Sequence, residues 1–273
     1  MTREIWLRKL RENAPGVHCL TNPVTMQDVA NVLLAAGGSA VMGREPSEVR
    51  TLTALSQATL LNTGVPDEAK LRAWVLAGRK ANELGRPVVL DPAGVGASLF
   101  RRNAVALVRR EVKLSLIRCN QEEACALLEE KSGPSGGVES SVELEQTAQM
   151  ELADRLAGAC GCAVLISGET DAVSDGERRT FLTGGDARIR RISGGGCMLS
   201  ALCALFAGAG LAPYEAACAA GSIWKESARL AGARTDRAGG GIGSFHIALF
   251  DALEELCGSR DESCAGTKEK EQE

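Results

Sequence analysis

The chain has 273 residues, a formal net charge of −4 and 45% hydrophobic content. That suits one large α/β domain and gives a nucleic acid or an acidic membrane little to attract. Aromatic residues are only 3% of the chain, which argues against base-stacking platforms. Ten cysteines and two histidines, His18 and His246, form no CxxC pair and no zinc-type spacing. MTREIWLRKLREN has no apolar signal core, and no apolar run reaches membrane-spanning length. The cysteines therefore read as reduced thiols, mostly small core fillers, in a cytoplasmic protein.

In chain order, short apolar runs alternate with longer helical ones. SAVMG (39–43), ATLLNTG (58–64), PVVLDPAGVG (87–96), LSLIRCN (114–120) and CAVLISGE (162–169) read as buried strands. Helical spacing occupies 27–37, 67–85, 121–130 and 151–159, and the first two stretches end in glycine. Repeated strand, helix, strand predicts a mostly parallel sheet flanked by helices. After Asp171, AVSDGERRTFLTGG reads as a hairpin turning at Asp175-Gly176. The chain is then mostly helical from Met198. Residues 131–146 read as a loop and the polar tail 259–273 as disordered, leaving a single domain over 1–258.

Polar residues gather at the carboxyl ends of the expected strands: Met42-Gly43, Asn62-Thr63-Gly64, Asp91-Pro92, Arg118-Cys119-Asn120, Ser167-Gly168-Glu169, and Ser193 to Cys197. Open parallel sheets bind ligands outside those ends. Gly194, Gly195 and Gly196 read either as a plain strand-to-helix turn or as an anion site with Cys197 at its edge. Asp91 either caps the next helix or holds Mg²⁺ through water. Glu123, three residues after Asn120, either reaches back to cap its helix or supplies a second carboxylate. Arg118 at a buried strand end calls for an anion such as phosphate. No GxxxxGK[ST] and no GxGxxG after the first strand occur, and GGGIGSF (239–245) is a second glycine-rich turn. Two carboxylates, an arginine and a glycine-rich helix start are the parts of phosphoryl transfer to an alcohol.

With these residues in place, the chain resembles the hydroxyethylthiazole kinases of the ribokinase-like superfamily, whose fold is a three-layer sandwich. The resemblance runs from about Val17 to Leu256 through VHCLTNPVTMQDVANVLLAAGGSAVMG, LLNTGVP, VVLDPAGVGAS, IRCNQEEACAL, GGVES, LISGETDAVSDG, SGGGC and GIGSF. It implies transfer of the γ-phosphate of ATP to the primary alcohol of 4-methyl-5-(2-hydroxyethyl)thiazole in thiamine salvage. It also implies Mg²⁺ and a homotrimer with active sites between subunits. By the same resemblance Arg118, Ser167 and Asn120 bind ATP. Met42, Asn22 and Gly194 bind the thiazole, and Asp91 and Glu123 lie near the metal. The Gly194–Gly196 N–H groups form the anion hole. Cys197 ends the family's TGxGC motif, where related kinases carry an aspartate base; a thiol at a helix N-terminus with a lowered pKa would take the hydroxyl proton.

The chain departs from the family pattern at several points. RGN is RCN here, so Cys119 is expected to add a side chain beside the nucleotide. TGE is SGE, TGxGC begins with Ser193, and DPVG is DPAG. Three other readings compete. A hydroxymethylpyrimidine kinase or a dehydratase of hydrated NADH is opposed by Cys197 and by LTNPVTM. A non-catalytic ATP-binding protein would have altered RCN as its mark. A thiol-redox protein would need a CxxC pair that the chain does not have.

Overall fold

The computed structural model describes residues 1–128 and 145–258. The expected tail from Ser259, and all but the end of the expected 131–146 loop, lie outside the described residues; so do the last two residues of the helix expected over 121–130.

Among the described residues eight strands form one sheet: β1 (Gly16–Leu20), β2 (Ser39–Met42), β3 (Ala58–Asn62), β4 (Val88–Asp91), β5 (Leu116–Asn120), β6 (Ala163–Ser167), β7 (Asp171–Ser174) and β8 (Arg179–Leu182). Their order is β2-β1-β3-β4-β5-β6-β7-β8. The pairing is parallel from β2 through β6 and antiparallel from β6 to β8. The β7–β8 hairpin turns where the sequence predicts. Gly176 takes φ +90, and Asp175 Oδ1 accepts from the Arg178 N–H at 2.7 Å.

Among the described residues ten α-helices flank the sheet: α1 (Arg3–Asn13), α2 (Met26–Ala35), α3 (Val49–Leu55), α4 (Glu68–Glu83), α5 (Leu99–Glu111), α6 (Gln121–Leu128), α7 (Gln146–Cys160), α8 (Gly195–Gly208), α9 (Pro213–Arg237) and α10 (Ile242–Cys257). Side chains alternate across each strand. Val17, Cys19, Leu60, Val89, Leu116 and Leu165 pack against α2, α8, α9 and α10. Leu20, Leu61, Leu90, Ile117, Val164 and Ile166 pack against α4 to α7. The result is the three-layer arrangement that the family resemblance implies, around the mostly parallel sheet that the alternating pattern predicts. Gly37 and Gly85, expected to stop α2 and α4, take φ +86 and +65 just past them.

Four elements exceed the sequence expectation: β1, α1, α3 and α5. β1 hides because the fully buried His18 interrupts its apolar run. α1 and α5 are rich in charge, yet each buries a narrow stripe. In α5 that stripe is Ala104, Val105 and Val108, and Ser98 Oγ caps the helix by accepting from the Arg101 N–H at 3.3 Å.

α8 lies at the centre of its layer. Every residue from Met198 to Ala207 is buried, so the helix axis is fixed by packing on all sides. Its first turn is thereby set against the carboxyl ends of β3, β4 and β5.

Candidate active site

The strand order reverses between β1 and β3: the chain leaves β1 toward one edge and returns on its other side. Such a switch point opens a crevice at the carboxyl ends of the strands. Register decides which side chains enter it. Asn62 pairs with Asp91, Arg118 with Leu165, and Asn120 with Ser167. Because Leu60, Val89 and Leu116 face α8 and Leu165 faces α9 on the same side of the sheet, the residues two further on in β3, β4, β5 and β6 face that same layer. Asn62, Asp91, Arg118 and Ser167 therefore share one face at one end of the sheet.

Above them stands the first turn of α8. Gly194 is its N-cap at φ +84, a conformation that favours glycine. A Cβ there would meet Thr25 Cγ2 at 2.6 Å. A Cβ on Gly195 would press on the Ile189 carbonyl at 3.1 Å, and one on Gly196 would enter the Arg118 guanidinium. By helix geometry the first-turn N–H groups have no acceptor inside the helix. The Gly195 N–H leans to Ile192 O at 3.5 Å, which leaves the turn's strongest donors at Gly196 and Cys197.

Cys197 Sγ meets a ring of donors. Asn62 Nδ2 lies 3.2 Å away and Asn22 Nδ2 3.7 Å away. Thr25 also lowers the pKa of the thiol, although its buried hydroxyl makes no hydrogen bond among the described residues. Asn62 turns the same amide nitrogen to Asp91 Oδ2 at 2.7 Å and accepts from Asn22 Nδ2 at 3.1 Å. Ser200 Oγ, one turn along α8, donates to Asp91 Oδ2 at 2.9 Å. Asp91 Oδ1 is buried and has no hydrogen-bond partner among the described residues.

The electrostatics overturn one expectation. Burial pushes the Cys197 thiol up to about 11, and the Asp91 carboxylate adds to it; Thr25, Arg118 and Asn62 oppose the rise without cancelling it. Cys197 is thus a neutral thiol near pH 7, not the acidified one expected at a helix N-terminus. Burial also raises Asp91, against Arg118, Ser200, Asn62 and Cys197. Glu123 is raised by burial and then by Asp91. For Arg118 burial acts to lower the pKa, but Asp91 and Glu123 hold the guanidinium firmly charged. Its other contact is the Ser167 hydroxyl.

Asn120 and Glu123 form a reciprocal capping box at the start of α6. The Asn120 N–H donates to Glu123 Oε2 at 2.9 Å, and the Glu123 N–H to Asn120 Oδ1 at 2.8 Å. Glu123 Oε1 also accepts from the Gly94 N–H at 2.9 Å, tying α6 to the turn after Asp91. The capping reading of Glu123 therefore holds, while its charge still reaches Asp91 and Arg118. Met42 ends β2 half-buried, beside Cys19 of β1.

Cys119 corrects a second expectation. It is fully buried with Ile117 and Ile166 on the opposite face of the sheet from Arg118. Its side chain thus joins the core and not the face that carries Arg118.

Three residues of the cluster carry no role in the sequence reading: Asn62, Thr25 and Ser200. Asn62 stands among the strand-end polar groups there. Thr25 and Ser200 sit inside TNPVTM and CMLS, where only the three-dimensional approach to Cys197 and Asp91 distinguishes them from ordinary helix residues.

The fold is that of the ribokinase-like proteins, and at the carboxyl ends of its strands a buried arginine and two carboxylates lie beside a glycine-rich helix start. A ribokinase-like superfamily protein from Enterococcus faecalis shares this fold with a TM-score of 0.62 at 12% identity, over 94% of this chain and 95% of that one. A sequence profile of the hydroxyethylthiazole kinase family matches residues 7–259, and the chain belongs to that family. The hydroxyethylthiazole kinase of Lysinibacillus sphaericus is 36% identical over 259 residues, 93% of this chain and 97% of the relative. The structure of a hydroxyethylthiazole kinase protein from Pyrococcus horikoshii superposes with a TM-score of 0.82 at 32% identity, covering 97% and 96% of the two chains.

Proposed function

We propose that the protein transfers the γ-phosphate of ATP to the primary alcohol of 4-methyl-5-(2-hydroxyethyl)thiazole, the salvage step of thiamine synthesis. Membership of the family supports the reaction, and one observation supports its location: Arg118, Asp91 and Cys197 meet under the first turn of α8. In this reading the Gly196 and Cys197 N–H groups and Arg118 receive the charge of the transferring phosphoryl group. Ser167 and Asn120 lie on the ATP side. Asn22, Met42 and Gly194 lie on the acceptor side, where Cys197 meets the alcohol. Phosphoryl transfer has a loose transition state and the alcohol loses its proton late, so a neutral thiol at Cys197 suffices to orient the hydroxyl.

Asp91 and Glu123 would hold Mg²⁺. The orphaned Asp91 Oδ1, and the raising of Glu123 by the neighbouring Asp91 charge, support a cation there. Among the described residues no cluster of three or more His, Cys, Asp or Glu is shaped for a metal. The remaining ligands would be phosphate oxygens and water, the usual habit of this ion. When bound, Mg²⁺ neutralises phosphate charge.

A homotrimer with sites between subunits, and a cytoplasmic location, complete the reading; no helix among the described residues is long and apolar enough to cross a membrane. The test is direct. Purified protein with MgATP and the thiazole alcohol should give the phosphorylated thiazole by mass, dependent on Mg²⁺. ATP binding without product on this or related alcohols would sink the reading.

A further inference from the structure

Lys70 is 1% exposed, an unusual place for an ammonium group, which is costly to bury unless it is fully bonded. It lies in the first turn of α4, and Asp67 Oδ1 accepts from its backbone N–H at 2.7 Å. Its Nζ donates to the carbonyls of Gly64 at 2.8 Å and Val65 at 3.1 Å, and it lies 5.6 Å from the Trp74 ring centroid. Burial lowers its pKa to about 8, with Asp67 opposing and Arg44 and Arg101 assisting.

The segment it grips is strained. Val65 takes φ +49, a left-handed conformation that a β-branched residue rarely adopts. Val65 is 49% exposed, so packing of its side chain does not compensate. A glycine at that position would remove the strain. The neighbouring Gly64 is pressed into the site: a Cβ on it would come within 2.9 Å of both Asn22 Nδ2 and Asn62 Oδ1. The Gly64 N–H donates to Asn62 Oδ1 at 2.9 Å, and Asn62 is the amide that reaches Cys197.

We propose that Lys70 is a positioning residue for the acceptor side of the reaction: its ammonium tethers the strained Gly64–Val65 turn and so fixes the Asn62 amide that orients Cys197. A buried cation that spends two donors on consecutive carbonyls, one of them belonging to a strained residue, supplies the force that holds that turn. The inference rests on the thiazole-kinase reading for its kinetic consequence, but the tether itself does not.

The experiment is a cycle of K70M, V65G and the double variant in the full-length chain, measured by thermal melting and by steady-state kinetics with MgATP and the thiazole alcohol. K70M should lower Tm and reduce kcat/KM for the alcohol about tenfold, equivalent to ~1.4 kcal/mol, while KM for ATP stays within about twofold. V65G should melt higher than the parent. The double variant should recover part of both losses, because a relaxed turn no longer needs holding. Additive melting effects, or a K70M loss shared equally by ATP and the alcohol, would overturn the proposal. A parent protein inactive on the alcohol would remove the kinase reading alone, and non-additivity in Tm would still decide the tether.

Discussion

The Arg118 guanidinium occupies the space that a Cβ on Gly196 would need. An alanine at this helical position would ordinarily gain about 1 kcal/mol of helix propensity. Here that gain is opposed by displacement of a buried, charged arginine. We expect G196A to cut kcat/KM by about 10²-fold or more, as removal of an oxyanion-type donor does. Calorimetric ATP binding should weaken in parallel. Retained ATP affinity with normal turnover would show that Arg118 does not work from beneath α8.

Cys197 has a neutral thiol held up near 11. Between about pH 6 and 9 the kcat profile should therefore carry no limb that disappears in C197A. The same variant should lower kcat, roughly tenfold, and leave ATP binding intact, because the proposed reading puts the sulfur on the acceptor side. Unchanged turnover would remove Cys197 from the mechanism. Rapid alkylation of Cys197 at pH 7 would contradict the raised thiol.

Asn62 bridges Cys197 and Asp91 with one amide nitrogen. N62D replaces that donor with a second carboxylate against Asp91. Like charges at hydrogen-bond distance cannot both ionise readily. We expect N62D to lose activity about 10²-fold at neutral pH. N62A, which only removes the bridge, should lose less. Equal activity of N62D and the parent would show that the bridge is not part of the site.

His18 gives a prediction for stability. It is fully buried, with Nε2 donating to the Gly43 carbonyl at 3.1 Å and Nδ1 2.9 Å from Thr53 Oγ1. Burial lowers its pKa from 6.5 to about 4, against the Gly43 hydrogen bond. Between those values the unfolded chain binds a proton that the folded chain refuses. The stability associated with neutral His18 is therefore complete above about pH 6.5 and falls as the pH drops toward 4, by about 3 kcal/mol in all. Urea melts from pH 7 to 4 should show this slope, and H18N should flatten it. An unchanged slope in H18N would assign acid sensitivity elsewhere.

Much of this architecture was legible in the chain because the two periods, short apolar runs and helical spacing, change cleanly at glycine. Gly37, Gly85 and the Asp175-Gly176 turn behave as their residue types require. The strand-end polar residues were visible for the same reason. Their partners were less so: Asn62 looks like any turn former until register places it across from Asp91. Two expectations failed on physics that local sequence does not carry. The helix N-terminus favours a thiolate at Cys197, but burial beside Asp91 outweighs it. Cys119 follows Arg118 in the chain, yet strand alternation sends its side chain into the opposite core.

The reversal of strand order between β1 and β3 also divides the chain by inheritance. In the proposed reading, the acceptor side draws Asn22, Thr25, Met42 and Asn62 from the first quarter of the sequence and Gly194 and Cys197 from the α8 turn, while Arg118, Asn120, Glu123 and Ser167 come from between them. The early stretch meets the later residues at Cys197 and Asp91, both of which Asn62 touches. A lineage that exchanged the early stretch would have to keep Asn62 if the proposed phosphate side is to stay unaltered.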